Sequence, residues 1–282
     1  MQSFFLTYRS SRIHFLQGGH GDKILLCFHG YGETAASFAF LEGPLGTAFT
    51  LLAIDLPFHG KTEWNEGMSF SMESLLEILQ GIELLKDLAD GTGTPTPGKK
   101  QARILLTGFS MGGRIALSLL EKIPDRVEKI ILLAPDGLTV NPWYWLATQT
   151  RPGNRIFRYT MKHPGWFFLV LRIGNLLGAV NPSVYKFTRN YVDNPAVREA
   201  LYHRWTVLRN FRPDIPVITS LVRERRIPVR LLYGQYDRII RSGKGERFKK
   251  NIDPFGELFL LPSGHQLLLE KHLEPIRFAL KD

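Results

Sequence analysis

One stretch of this chain, Gly108-Phe109-Ser110-Met111-Gly112-Gly113, restricts the fold more than any other. Before it comes Arg103-Ile104-Leu105-Leu106-Thr107, an aliphatic run that reads as a buried parallel strand. After it, Arg114 to Lys122 reads as a helix, with Ile115, Leu119 and Ile123 on one face. Strand, G-x-S-x-G and helix together predict a tight, strained turn with the serine at its apex. Side chains two residues to either side of that serine would collide with the neighbouring strand and helix, and glycine at 108 and 112 removes the collision. The turn lifts the Ser110 hydroxyl above the carboxyl end of the strand. The helix N-terminus adds partial positive charge where an oxyanion would form. A bare G-x-S-x-G arises by chance in roughly one chain in ten of this length, so its setting and its partners elsewhere carry the argument.

That setting is an alternation of strands and helices. Ser3 to Tyr8 and Ile13 to Gln17 read as a hairpin turning at Arg9-Ser10-Ser11. Asp22 to Phe28 is an apolar run of strand length ending in His29-Gly30-Tyr31-Gly32, and Thr34 to Leu41 reads as helical. Phe49 to Ile54 is a further buried strand, leading into Asp55 to Thr62. Met72 to Leu88 carries Leu75, Leu76, Leu79, Ile82 and Leu85 at helical spacing, and turn-rich Gly91 to Lys100 reads as a surface loop. Val127 to Leu133 is another strand. After Ala134-Pro135-Asp136-Gly137 the rhythm stops, and helical stretches without a strand run to about Pro213. It resumes with Val229 to Tyr233, a helix near Gly245 to Lys250, a strand from Glu257 to Leu261, and a last helix from about Gln266 to Leu280. The pattern predicts an α/β core with a mostly parallel sheet covered on both faces. The core comprises residues 1–137 and 214–282, interrupted by a helical insertion at 138–213.

Charge marks the insertion as a separate unit. The net charge is +10. Between Leu138 and Pro213 there are 11 basic residues, nine of them arginine, against Asp193 and Glu199. The remaining 25 basic and 24 acidic residues nearly cancel. Four of the five tryptophans, Trp143, Trp145, Trp166 and Trp205, also lie in the insertion. The single cysteine, Cys27, cannot form an intrachain disulfide, which fits a reducing compartment. The N-terminal residues lack the pattern of a signal peptide. The apolar segment nearest to spanning length, Gly165 to Val180, is short and contains Arg172. The expectation is a soluble, cytoplasmic protein.

Taken in order, four motifs resemble the α/β-hydrolase family. They are His29-Gly30-Tyr31-Gly32 after the third strand, Gly108 to Gly112 after the fifth, Asp237 after Leu231-Leu232-Tyr233-Gly234, and Gly264-His265 after the last strand. The resemblance covers nearly everything outside the insertion. It implies the α/β-hydrolase fold with a mainly helical cap, and nucleophile, acid and base in that chain order. A serine hydroxyl is a weak nucleophile at neutral pH and needs an adjacent base. His265 is the candidate, Asp237 the acid that orients it, and Asp136, after the sixth strand, the alternative acid. The resemblance also implies that the backbone N–H groups of Met111 and Tyr31 stabilise the oxyanion, with Gly30 and Gly32 letting that loop turn toward the site. Tyr31 is read as a wall of the substrate pocket beside Gly30. His29 and His59 read as structural, and no histidine pair has zinc-site spacing.

A nucleophilic serine argues against the haloalkane dehalogenase and epoxide hydrolase branches, which use aspartate at this position. The default expectation is a carboxylic ester hydrolase acting through an acyl-enzyme on a small or medium apolar ester. In that reading the insertion is a lid whose aromatics, Trp143 and Trp145 among them, line an apolar pocket. Ser110-Met111-Gly112-Gly113-Arg114 also resembles the elbow of the menaquinone-pathway synthase that eliminates pyruvate from a cyclohexene carboxylate. The alternative is therefore elimination or C–C hydrolysis of an anionic ring or dicarboxylate substrate, bound by arginines. A third expectation is peripheral contact with anionic lipid through the basic, aromatic lid, as a lipase or a binding protein. Dispersed arginines argue against nucleic acid as a partner, and no cofactor or metal is expected.

Overall fold

In the computed structural model, which describes residues 1–88, 103–139, 141–178 and 192–281, the chain divides into two compact units. The first takes Met1–Glu66, Phe70–Thr139 and Asn210–Asp282, and the second takes Gly67–Ser69 and Val140–Arg209. The expected surface loop at 91–100 and part of the insertion, 179–191, lie outside the described residues. The short piece 67–69, which belongs to the second unit, carries no charge or compositional signal that would have placed it there.

The first unit is built on a single eight-stranded sheet. Its strands are β1 (Gln2–Tyr8), β2 (Ser11–Gly18), β3 (Lys23–Phe28), β4 (Phe49–Ile54), β5 (Ile104–Phe109), β6 (Val127–Leu133), β7 (Val229–Gly234) and β8 (Gly256–Leu261). They lie in the order β1-β2-β4-β3-β5-β6-β7-β8. The β1–β2 and β2–β4 pairings are antiparallel and every other pairing is parallel. This mixed sheet, with its helices, is an α/β-hydrolase fold. The parallel strands are apolar on both faces because both are covered: all six residues of β5 are buried, as are Ile24 to Phe28 of β3. Register sets Phe28 opposite Gly108 and Phe109 opposite Leu133, so the carboxyl ends of β3, β5 and β6 finish level.

Helices of this unit are α1 (Glu42–Leu45), α2 (Met72–Gln80), α3 (Met111–Lys122), α8 (Ile215–Arg225), α9 (Gly243–Asn251) and α10 (Leu273–Leu280). Three expectations change. Residues Ala35–Leu41 form a 3₁₀ helix rather than an α-helix. The helix expected over 72–88 ends at Gln80, because Gly81 is a poor helix former and Ile82 turns extended before a short 3₁₀ turn at Glu83–Leu85. The last helix begins at Leu273 rather than near Gln266. Pro275 explains the shift, since a helix continuing from 266 would set its ring against the carbonyl of Lys271, whereas proline is tolerated in a first turn. Residues 266–269 instead run outside any helix, with Leu267 and Leu268 buried.

The second unit is helical: α4 (Pro142–Gln149), α5 (Arg151–Lys162), α6 (Gly165–Leu176) and α7 (Pro195–Val207). Three of these starts follow one local rule. Asn141, Thr150 and Asn194 each accept backbone N–H groups of the first turn, and each cap is followed by a proline within two residues. Four half-buried aromatics pack against one another in this unit. Tyr144 meets Trp205 at 5.3 Å between ring centroids, and Phe157 meets Tyr202 and Trp205 at 5.5 and 5.7 Å. Asn154 ties the helices together by donating to Ala147 O and Thr206 Oγ1. No helix among the described residues is long and apolar enough to cross a membrane.

One buried carboxylate links several segments of the sheet unit. Asp55 follows β4, and its Oδ1 accepts the Ala35 N–H at 2.6 Å. Its Oδ2 accepts the Lys61 N–H at 2.8 Å and faces His14 Nδ1 on β2 at 2.6 Å. Its backbone carbonyl accepts the Thr62 hydroxyl at 2.7 Å. Asp55→Ala leaves buried donors from three segments without their acceptor. We expect it to lower unfolding free energy by about 3–5 kcal/mol in urea denaturation.

Candidate active site

Ser110 is the residue between β5 and α3, and its backbone sits at φ 50° and ψ −115°, a region that side-chain-bearing residues avoid. Four hydrogen bonds hold it there or flank it closely. The Ser110 N–H donates to Leu133 O at 2.9 Å, and Ser110 O accepts Gly113 N–H at 2.9 Å and Asp136 N–H at 2.8 Å. Ala134, just beyond β6, is itself left-handed at φ 41°, and its N–H donates to Leu232 O at 2.8 Å. The strain at the serine is thus carried by the ends of β6 and β7. Space for the turn comes from glycine: a Cβ at Gly112 would lie 2.0 Å from Phe28 O, and one at Gly108 would lie 2.4 Å from Gly112 O.

The structure brings Ser110, His265 and Asp237 into one line. Ser110 Oγ lies 3.0 Å from His265 Nε2, and His265 Nδ1 lies 2.8 Å from Asp237 Oδ2. The Asp237 side chain is fully buried, and its Oδ1 accepts the N–H groups of Ile239 and Ile240 at 2.7 and 2.9 Å. Both carboxylate oxygens are therefore engaged, and the acid cannot rotate away from the imidazole without breaking them. The loop bearing the histidine is tied to the loop bearing the acid. Gln235 N–H donates to Leu261 O at 2.8 Å, and Tyr236 N–H to Ser263 O at 3.0 Å. His272 adds a brace that sequence reasoning missed, with Nε2 3.1 Å from the Ser263 hydroxyl. Burial pushes the His272 imidazole pKa down, which favours the neutral ring beside that hydroxyl.

Asp136, the alternative acid, faces elsewhere: it pairs with Arg114 of α3 and accepts the Gly137 N–H at 2.8 Å. Among the expected oxyanion donors, Met111 is the first residue of α3, where a backbone N–H has no acceptor within its own helix. The loop carrying Tyr31 passes directly beside the serine, since a Cβ on Gly30 would lie 2.8 Å from Phe109 and 3.4 Å from Ser110 Cβ. The Tyr31 ring stands edge-on to His59 at 6.2 Å. Glu33, two residues on, was not singled out from sequence. It contacts the side chain of Gln266, next to His265, and burial raises its carboxyl pKa against the opposing effect of that hydrogen bond. Its signal was only its nearness in sequence to Tyr31.

His29 accepts the Leu56 N–H at 3.1 Å and lies beside Gly30 O at 2.8 Å, so both ring nitrogens serve the backbone. His59 Nδ1 lies 2.9 Å from Pro57 O. No cluster of three or more metal-ligating side chains occurs among the described residues. Trp143 and Trp145 are on α4 of the helical unit, 77% and 45% exposed. A second Ser–His–Asp line exists as well: Ser3 Oγ lies 2.7 Å from His14 Nε2, whose Nδ1 meets Asp55. Ser3, however, sits within the extended strand β1, with no turn and no helix N-terminus beneath it. Of these two serines, Ser110 is the one at a helix N-terminus.

The family model described as serine aminopeptidase, S33, matches residues 19–272. An uncharacterized hydrolase, YugF, of Bacillus subtilis is 25% identical over 266 residues, covering 93% of this chain and 90% of its own. A further uncharacterized hydrolase, YNR064C of Saccharomyces cerevisiae, is 25% identical and covers 92% and 88%. The fold is shared with a thermophilic esterase of Thermogutta terrifontis, at a TM-score of 0.62, 21% identity and coverage of 99% and 96%. An enol-lactonase of Burkholderia xenovorans gives 0.63, 16% identity and coverage of 99% and 100%.

Gly112→Ala tests the elbow, because its new methyl meets backbone rather than a movable side chain. We expect a loss of about 3 kcal/mol, seen as a Tm lower by roughly 6–12 °C. Gly43→Ala, where nothing lies within 4 Å, serves as the control and should leave Tm unchanged or slightly raised.

Proposed function

This chain belongs to the serine aminopeptidase S33 family of hydrolases, and within that family we propose that it is a carboxylic ester hydrolase with Ser110 as nucleophile, His265 as base and Asp237 as orienting acid. The observation that carries the reading is the line from Ser110 Oγ through His265 to Asp237, at 3.0 and 2.8 Å, set on a strained turn at a helix N-terminus. Asp237 holds the imidazole with Nδ1 protonated, leaving Nε2 to accept the serine proton. Ser110 Oγ then bonds to the carbonyl carbon of a small or medium apolar ester. The carbonyl π electrons move to oxygen, and the N–H groups of Met111 and Tyr31 receive that oxyanion. Collapse expels the alcohol, which takes the proton from Nε2 and leaves an acyl-serine. Water, deprotonated by the same nitrogen, releases the acid and restores Ser110.

The alternative, elimination or C–C hydrolysis on a multiply anionic substrate, draws on the arginines of the insertion and on the likeness of the Ser110 to Arg114 elbow. Arg114 itself is buried and paired with Asp136, so binding of such a substrate would fall to the insertion's arginines.

Fluorophosphonate should label the wild type and fail to label Ser110→Ala. On p-nitrophenyl esters, Asp237→Asn should lower kcat by roughly 10³–10⁴, while Asp136→Asn should stay within about tenfold. Negligible turnover across esters of every chain length, with intact labelling, would remove the ester assignment. Pyruvate release from an anionic cyclohexene carboxylate would install the alternative.

A further inference from the structure

Helix α6, Gly-Trp-Phe-Phe-Leu-Val-Leu-Arg-Ile-Gly-Asn-Leu, is apolar around nearly its whole circumference, yet none of its residues is buried. A helix apolar on every side ordinarily lies inside a protein or against something apolar. Its faces divide cleanly at 100° per residue. Phe167, Phe168 and Leu171 are on the half-buried side. Trp166, Leu169, Val170, Ile173, Leu176 and Leu177 form a stripe on the other side, exposed by between 44% and 77%. Six large side chains in one continuous stripe are far more than the single exposed apolar residues any surface carries.

The charge on the helix that leads into this one points to what would cover it. Helix α5 leads into α6 through His163 and Pro164. It carries Arg151, Arg155, Arg158 and Lys162 at spacings of four, three and four, which puts all four cations on one exposed stripe. Arg172 flanks the apolar side of α6 itself and is exposed. From Gly137 to Val192 the sequence contains no aspartate or glutamate at all. A second copy of this chain on the same face would bring two predominantly cationic surfaces together, with Glu199 beside Arg158 and Lys162 as a carboxylate set among three or more cations. An anionic bilayer satisfies both stripes: acyl chains receive the apolar one, and headgroup phosphates receive the arginines. Tryptophan at one end of the apolar stripe fits the membrane interface, where its amphipathic ring is most stable.

We infer that the α5–α6 face of the helical unit docks on anionic lipid membranes, with α6 lying in the plane of the interface and the α5 cations over the headgroups. The contact is peripheral and reversible, since α6 is too short to span. It does not depend on the ester chemistry, because binding is read without turnover.

Co-sedimentation of the full chain with vesicles tests it. Vesicles of phosphatidylcholine containing phosphatidylglycerol should pellet the protein, and pure phosphatidylcholine vesicles should pellet much less. Raising salt until the Debye length falls to about 3 Å should weaken the anionic binding. The pair Leu169→Asp and Ile173→Asp, both at exposed positions, should abolish pelleting while leaving circular dichroism and Tm unchanged. Arg151→Gln with Arg155→Gln should weaken anionic binding by roughly 30-fold without touching the apolar stripe. No pelleting by the wild type, or equal pelleting on both vesicle types, would overturn the inference. Light scattering that shows a concentration-dependent dimer, lost in the aspartate pair, would assign the face to a second copy instead.

Discussion

Ser110 is held in a backbone conformation that it would not adopt alone, and the central sheet supplies the restraint. Its N–H and C=O are tied to Leu133, Gly113 and Asp136, so the ends of β5 and β6 and the first turn of α3 share one set of hydrogen bonds. Around that point the packing leaves no slack, since Gly112 rests on the Phe28 carbonyl at the end of β3. The same contact brings the loop of Gly30 and Tyr31 alongside the serine. Three parallel strands therefore converge on one hydroxyl, and the positions of that serine and the neighbouring amides follow from strand register rather than from loop conformation.

The other two members of the line are placed by a second mechanism. Asp237 and His265 stand on loops after β7 and β8, and these loops are laced to each other through Gln235, Tyr236, Leu261 and Ser263. Phe109 adds a ring face against the imidazole at 5.3 Å, which joins the laced loops back to β5. A buried carboxylate with every oxygen occupied is costly to displace, and this gives the imidazole a fixed neighbour on its Nδ1 side. The Ser3–His14–Asp55 line shows the contrast. It has comparable distances and an acid whose oxygens are likewise engaged by backbone N–H groups, but its serine lies on a regular strand. The two lines match in distance and differ in backbone setting.

What could be read from the sequence was what depends on near neighbours along the chain. Gly108, Ser110 and Gly112 declare a steric requirement within five residues. Apolar runs such as Leu25 to Phe28 identify strands buried on both faces. Which of Asp237 and Asp136 lies beside His265 was not local. It depends on which loop reaches the imidazole and on Arg114, whose engagement with Asp136 is a tertiary fact. Helical spacing overstated two helices, because leucines that face a core can do so from a 3₁₀ turn or an extended segment, as Leu85 and Leu267 do. Glu33 and His272 were invisible for the same reason: neither stands in a motif, and each matters only through a residue brought beside it.

The shared contact between Gly112 and Phe28 has one more consequence. Because the elbow rests on the middle of the sheet, it has no softer subdomain to melt into ahead of the rest. Heat inactivation and loss of the sheet should therefore coincide, rather than inactivation coming first as it does where a reactive group rides on a loosely held segment.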